Sequence, residues 1–265
     1  MSLLSVEDLV VEYGAFRAVD GVSFEVAKGS TLAIVGESGC GKSTIAKAIV
    51  RLLTPTSGGI KVDGVDIARL SGRALRPYRS RIQMVFQDPY GSLDPHLTAV
   101  EIVGEPLRLK GIRSKADRSK KAAALIDQVG LPTTALNRRP AEFSGGQRQR
   151  IGIARALASG PELLVCDEAT SALDVSVQAQ VLNLLRDIKR DTGLTYLFIS
   201  HNLGVVREIS DTIVVMNSGK IVERGATADV LAHPAEPYTK ALRAAALDPT
   251  TMVGVKPRHA LKGVA

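Results

Sequence analysis

Apolar positions along this chain follow two spacings, and glycine clusters mark where one gives way to the other. Alternating or clustered valines, leucines and isoleucines at 9–13, 22–26 and 60–62, with glycines close by, predict a small antiparallel sheet. Residues 31–35 (TLAIV) form an unbroken apolar run, and residues 42–53 take up helical spacing, so this stretch reads strand, glycine loop, helix. Similar buried runs at 82–86, 163–166 and 196–199, with a helical pattern at 175–190, predict a parallel sheet flanked by helices.

Between Gln87 and residue 144 the texture changes. A turn-rich stretch, DPYGSLDP at 88–95, precedes helical patterns at 99–107 and 115–129, which together predict a helical subdomain inserted into the sheet domain. A late hairpin is expected at 212–217 and 220–224 around Ser218 and Gly219, followed by helices at 226–231 and 238–246. The last residues are expected to fray, and the tail from Pro249 carries no usable pattern. There is no internal repeat and no low-complexity linker.

Composition sets broad bounds. With 45% hydrophobic, 23% charged and 4% aromatic residues in 265, the chain is long enough for a sizeable core and has the make-up of an α/β protein. A formal charge of +7 suits nucleotide phosphates, nucleic acid or an anionic membrane face, and excess surface lysine explains it equally well. Two cysteines, Cys40 and Cys166, supply neither a disulfide framework nor a zinc spacing, which fits a reducing compartment. Glu7 and Asp8 stand where a secretory leader needs a basic start and an apolar run, and no run reaches the roughly 18 apolar residues of a membrane span. A membrane role therefore has to come through a partner.

The chemistry concentrates in a few short stretches. Gly36, Glu37, Ser38, Gly39, Cys40, Gly41, Lys42 and Ser43 (GESGCGKS), followed by Thr44, fit the phosphate-binding loop pattern over its full spacing. Its glycines let backbone N–H groups converge on phosphate oxygens, Lys42 reaches the terminal phosphates and Ser43 ligates magnesium. The strand before and the helix after aim the positive end of the helix at the anion. Cys40 occupies a place that wants a small side chain, and packing accounts for it better than redox chemistry does.

LLVCDE at 163–168 sets two carboxylates just past a buried strand, where Asp167 can face the magnesium shell and Glu168 can orient or deprotonate a water. In isolation such a pair is more often a helix N-cap; behind a phosphate loop the hydrolytic reading prevails. Ser144, Gly145, Gly146 and Gln147 open a helix whose serine hydroxyl and glycine N–H groups can bind phosphate, or simply cap the helix.

Tyr13, GESGCGKS, Gln87, FSGGQRQR, LLVCDE, the SALD of 171–174 and His201 occur in one order. In that order the chain resembles the ATP-binding cassette (ABC) transporter ATPases over about nine tenths of its length. The resemblance implies an α/β P-loop NTPase cassette with a RecA-like core and an antiparallel β subdomain (1–87 and 162–232), an inserted helical subdomain carrying the signature (88–161), and a C-terminal helical extension (233–265). It also implies ATP and Mg²⁺ as cofactors, with Ser43, Gln87 and Asp167 toward the metal. Tyr13 then stacks on adenine, Gln87 joins the two subdomains near the metal or attacking water, Glu168 is the base, His201 contacts the γ-phosphate, and Asp174 senses the opposite site. In this family each ATP is sandwiched between the phosphate loop of one cassette and the signature of another.

MVFQDPYGSLDPHLTA at 84–99 and HPAEPYTKAL at 233–242 resemble the dipeptide, oligopeptide and nickel importer group, and Tyr90 and Gly91 resemble its second, F-type ATPase. That implies a related D-type ATPase partner or a second copy of this chain, two transmembrane permease subunits, an extracellular solute-binding protein, and a place at the cytoplasmic face of the membrane. No cysteine follows Cys166, which excludes the C-terminal iron–sulfur site some relatives carry. A nickel or other small-solute importer is the alternative. A soluble ABC ATPase acting on nucleic acid is disfavoured by the missing second cassette, and a non-hydrolysing scaffold by the presence of Glu168 and His201.

Overall fold

The computed structural model describes residues 2–88 and 90–247. In chain order these form β1 (Ser2–Tyr13), β2 (Phe16–Ala27), β3 (Thr31–Val35), α1 (Lys42–Ile49), β4 (Ser57–Val62), β5 (Val65–Asp66), α2 (Gly72–Arg81), β6 (Ile82–Val85), α3 (Ala99–Leu109), α4 (Lys115–Gln128), α5 (Gly145–Ala158), β7 (Leu163–Asp167), α6 (Val175–Thr192), β8 (Thr195–Ile199), α7 (Leu203–Ile209), β9 (Thr212–Asn217), β10 (Lys220–Ala226), α8 (Thr227–Ala232) and α9 (Pro237–Leu247). They gather into two compact units, one from the residues before 72 with those from 195 onward, the other from residues 72–194. The tail from Pro249 lies outside the described residues.

In the first unit, β1 pairs antiparallel with β2 on one side and β4 on the other, and β5 follows β4, giving the order β2-β1-β4-β5. Both leading strands run 12 residues, longer than the apolar alternation predicts. The pattern is broken at Asp8, which takes a left-handed conformation inside the register shift between Val6 and Leu9. Such a bulge lets polar residues sit inside a continuous strand. The same unit sets β3 parallel between β8 and β9, with β10 returning antiparallel. All five residues of β3 and of β8 are buried, the burial expected of a parallel strand covered on both faces.

The helix after β3 ends sooner than its apolar spacing predicts. Val50 caps α1 and Arg51 turns left-handed, so the N–H groups of Leu52 and Leu53 fold back onto the Lys47 carbonyl. In the second unit β6 and β7 pair parallel, Val85 opposite Cys166, and α3, α4 and α5 pack on one another. The helices predicted at 99–107 and 115–129 are present as α3 and α4. Thr98 and Glu101 close a capping box at the start of α3, and Ser114 caps α4.

Candidate functional site: a phosphate loop and a carboxylate pair

In the first unit the phosphate loop leaves the buried end of β3 at Gly36 and enters α1 at Lys42. Gly41 takes φ +106°, and a Cβ there would stand 2.4 Å from the Ala18 carbonyl oxygen, so only glycine fits this turn. Lys42 is 4% exposed. Its Nζ donates to the carbonyls of Gly36 and Glu37, both at 2.8 Å, so the charge lies coiled inside its own loop. No acidic residue stands in the first turn of α1 to oppose an anion. Ser38 and Gly39 are exposed at the loop's crest, and Ser43 and Thr44 are partly exposed in the first turn.

Cys40 lies 3.7 Å from the Lys42 ammonium. Burial pushes its thiol up, and the neighbouring charge offsets this only in part, so it is a packing group rather than a thiolate. Two more hydrogen bonds brace the loop from below: the Gly219 N–H donates to the Cys40 carbonyl, and the Asp20 N–H to the Gly219 carbonyl.

His201 is exposed just past the end of β8, whose Ile199 lies opposite Ile34 of β3. The parallel pairing brings the histidine and the loop out at the same strand ends, where ligands of open α/β sheets bind. The Ser200 N–H donates to the Ile34 carbonyl, and Asn202 caps α7 through the Gly204 and Val205 N–H groups, which fixes the backbone on both sides of His201. Tyr13 ends β1 half-exposed, paired across the hairpin with an exposed Phe16. Phe16 was not singled out from the sequence; an aromatic three residues after Tyr13 was its only signal.

In the second unit, Asp167 ends β7 and is 5% exposed, while Glu168 turns left-handed beyond it. The Ser171 N–H and hydroxyl both donate to the Glu168 carbonyl and hold that turn. Gln87 leaves β6 at the same end, and its Nε2 donates to Glu168 Oε2 at 2.8 Å. The helix that opens at Ser144 is tied to the same segment, because Gln149 of α5 donates to the carbonyl of Phe86, next to Gln87.

Ser144 and Gln147 form a reciprocal capping box at the start of α5. Gly146 lets α5 approach α6, where an added Cβ would lie 2.2 Å from Val177 Cγ1. Gly145 opens the same first turn. Arg148 stacks 3.7 Å over the Tyr90 ring and donates to the Pro140 carbonyl. Asp174 caps α6, accepting from the Val177 N–H and the Ser176 hydroxyl, and those bonds hold its carboxyl below the usual carboxylate range.

Loop, Tyr13 and His201 thus belong to the first unit, whereas Gln87, Asp167, Glu168, Ser144 to Gln147 and Asp174 belong to the second. Taken unit by unit, the Ser43 hydroxyl of the first, and the Gln87 amide and Asp167 carboxylate of the second, are each oxygen donors of the kind magnesium prefers. Among the described residues no three His, Cys, Asp or Glu side chains cluster as a metal site of their own.

A family profile for ABC transporters matches residues 19–171, more than half of the chain. The chain belongs to the ABC transporter family. AppF of Bacillus subtilis, named an oligopeptide transport ATP-binding protein, is 52% identical over 230 residues, covering 86% of this ABC chain and 70% of that protein. OppF of the same organism, named likewise, is 47% identical over 241 residues, 90% of this chain and 79% of that one. Among solved structures, a dimeric ATP-binding cassette in a post-hydrolysis state bound to ADP and Pi superposes with a TM-score of 0.77 at 30% identity, covering 84% of this chain and 98% of that one. The P-loop α/β cassette fold expected from the sequence is therefore the fold of this ABC chain, and ATP with Mg²⁺ is the cofactor pair of its family. No helix among the described residues is long and apolar enough to cross a membrane.

Proposed function

We propose that this ABC cassette is the ATP-hydrolysing subunit of a membrane importer for dipeptides or oligopeptides, coupling closure of a cassette dimer to solute translocation. The sustained identity to two oligopeptide transport proteins, about half of all positions over most of the chain, carries the peptide reading.

Each residue's part follows from its chemistry. Tyr13 offers an aromatic face to adenine. The backbone from Gly36 to Thr44 cradles phosphates, and Lys42 swings from its loop carbonyls to them. Ser43, Gln87 and Asp167 hold magnesium, which when bound supplies the charge that stabilises the transferring phosphoryl group. Glu168, oriented by the Gln87 amide, takes a proton from water, and His201 steadies the terminal phosphate. Ser144, Gly145, Gly146, Gln147 and Asp174 complete the site of a partner cassette.

The partner is a related D-type chain or a second copy, and the pair docks two permease subunits fed by an extracellular solute-binding protein, at the cytoplasmic face of the membrane. The finer division into a nucleotide-binding core with a β subdomain, a helical subdomain at 88–161 and a C-terminal extension belongs to the same proposal. Isolation of the intact complex from membranes tests it. Companion permeases, and ATP turnover stimulated by a peptide-loaded binding protein, are expected; stimulation by nickel alone would replace the peptide reading.

A further inference from the structure

The last described helix reaches the phosphate loop. Tyr238, the second residue of α9, is 3% exposed. It belongs to the buried apolar cluster that also holds Ala33 and Val35 of β3, the strand that launches the loop, and Leu203 and Val206 of α7. Its hydroxyl accepts the Glu37 N–H at 3.1 Å. That N–H shares one peptide plane with the Gly36 carbonyl, which accepts the Lys42 ammonium at 2.8 Å. Because the peptide is planar, turning it away from Tyr238 also turns its carbonyl away from Lys42. The tyrosine and the lysine therefore grip opposite edges of the same plate.

The grip is anchored. Glu223 of β10 accepts the N–H groups of Ala235 and Glu236 just ahead of α9, at 2.8 and 3.2 Å, where a helix start favours a carboxylate. Arg243 farther along α9 donates to the Ala232 carbonyl. With the approach to α9 held by Glu223 and Arg243 and the ring buried, the hydroxyl has a fixed address.

We infer that Tyr238 is a positioning residue for nucleotide binding: its hydroxyl fixes the peptide between Gly36 and Glu37 and so sets the loop and the Lys42 ammonium in readiness for phosphate. This rests on the reading of the loop as the ATP site. Without the hydroxyl the plane is free to rotate, and the nucleotide has to order it on arrival, which weakens binding.

Tyr238→Phe keeps the ring and removes only the hydroxyl, so the test is Mg·ATP titration calorimetry on the full chain, with the KM and kcat of hydrolysis and the melting temperature without nucleotide. Leu242→Val, on the same helix and in the same apolar cluster, is the packing control. For Tyr238→Phe, Kd and KM for ATP are expected to rise roughly three- to tenfold, with kcat and melting temperature close to wild type. Leu242→Val is expected to lower the melting temperature and leave Kd unchanged. An unchanged Kd in Tyr238→Phe overturns the inference, as does an equal Kd rise in Leu242→Val. Wild-type protein that fails to bind Mg·ATP overturns the reading of the loop and this inference with it, whereas wild-type binding with an indifferent Tyr238→Phe overturns this inference alone.

Discussion

The side-chain amide of Gln87 donates to the Glu168 carboxylate at 2.8 Å, so a residue two positions past β6 orients the one that follows β7. Glu168→Gln is expected to cut phosphate release by about 10²- to 10⁴-fold, the usual range for loss of a general base, while ATP binding persists. Gln87→Ala is expected to cost a smaller factor in kcat with little change in Kd. Single-turnover phosphate release beside nucleotide titration separates the two effects; undiminished turnover in Glu168→Gln removes it from the role of base.

Lys42 gives its charge to two loop carbonyls, and in the proposed ATP site that charge passes to phosphate. A charge-assisted hydrogen bond contributes roughly 1.5–3 kcal/mol, so Lys42→Ala is expected to weaken ATP binding by about ten- to a hundredfold. Calorimetry with Mg·ATP reads this directly, and equal affinity in the two proteins would move the phosphates elsewhere.

Gly146 sits where α5 and α6 nearly touch. Gly146→Ala drives a methyl group into Val177 and is expected to destabilise the fold by about 1–3 kcal/mol, the usual range for overpacking. The double variant with Val177→Ala is expected to recover part of that loss. A denaturant-unfolding double-mutant cycle checks it, and strict additivity would show that the contact is slack.

Two helix caps carry a pH signature. Hydrogen bonds from the Thr98 N–H and hydroxyl hold the Glu101 carboxyl low, and those from the Val177 N–H and the Ser176 hydroxyl do the same for Asp174. Both folded values lie below the unfolded ones, so their stabilisation is complete above an ordinary carboxylate pKa of about 4 and is lost as pH falls through the depressed values. Asn caps a helix nearly as well as Asp without titrating, so Asp174→Asn is expected to flatten the acid limb of a melting-temperature profile while matching wild type near neutrality. An unchanged acid limb would mean that the cap does not titrate with folding.

Much of this site was legible because its chemistry is local. The loop between β3 and α1, the acids ending β7 and the cap of α5 each show themselves within a few residues, and the fully buried strands advertise themselves as apolar runs. What escaped was structure without an apolar stripe or a neighbouring partner. The helix α2 buries only Leu75, carries Pro77 inside it and is rich in arginine, so no periodicity marks it. The short helix α7 does bury Leu203, Val205, Val206 and Ile209, but over about two turns that stripe is too short to mark a helix, and the double cap of Asn202 starts it. The pairing of Tyr238 with Glu37 joins residues 201 positions apart and leaves no trace in any local window.

The turn between β9 and β10 has the look of a spare surface hairpin, the kind of place where an affinity tag or fluorescent insert is usually lodged. Gly219 nonetheless carries the floor of the phosphate loop on its N–H and a residue of β2 on its carbonyl. Cargo spliced in there would tilt the nucleotide cradle although no motif residue had been altered, so that hairpin should be kept clear when the protein is labelled.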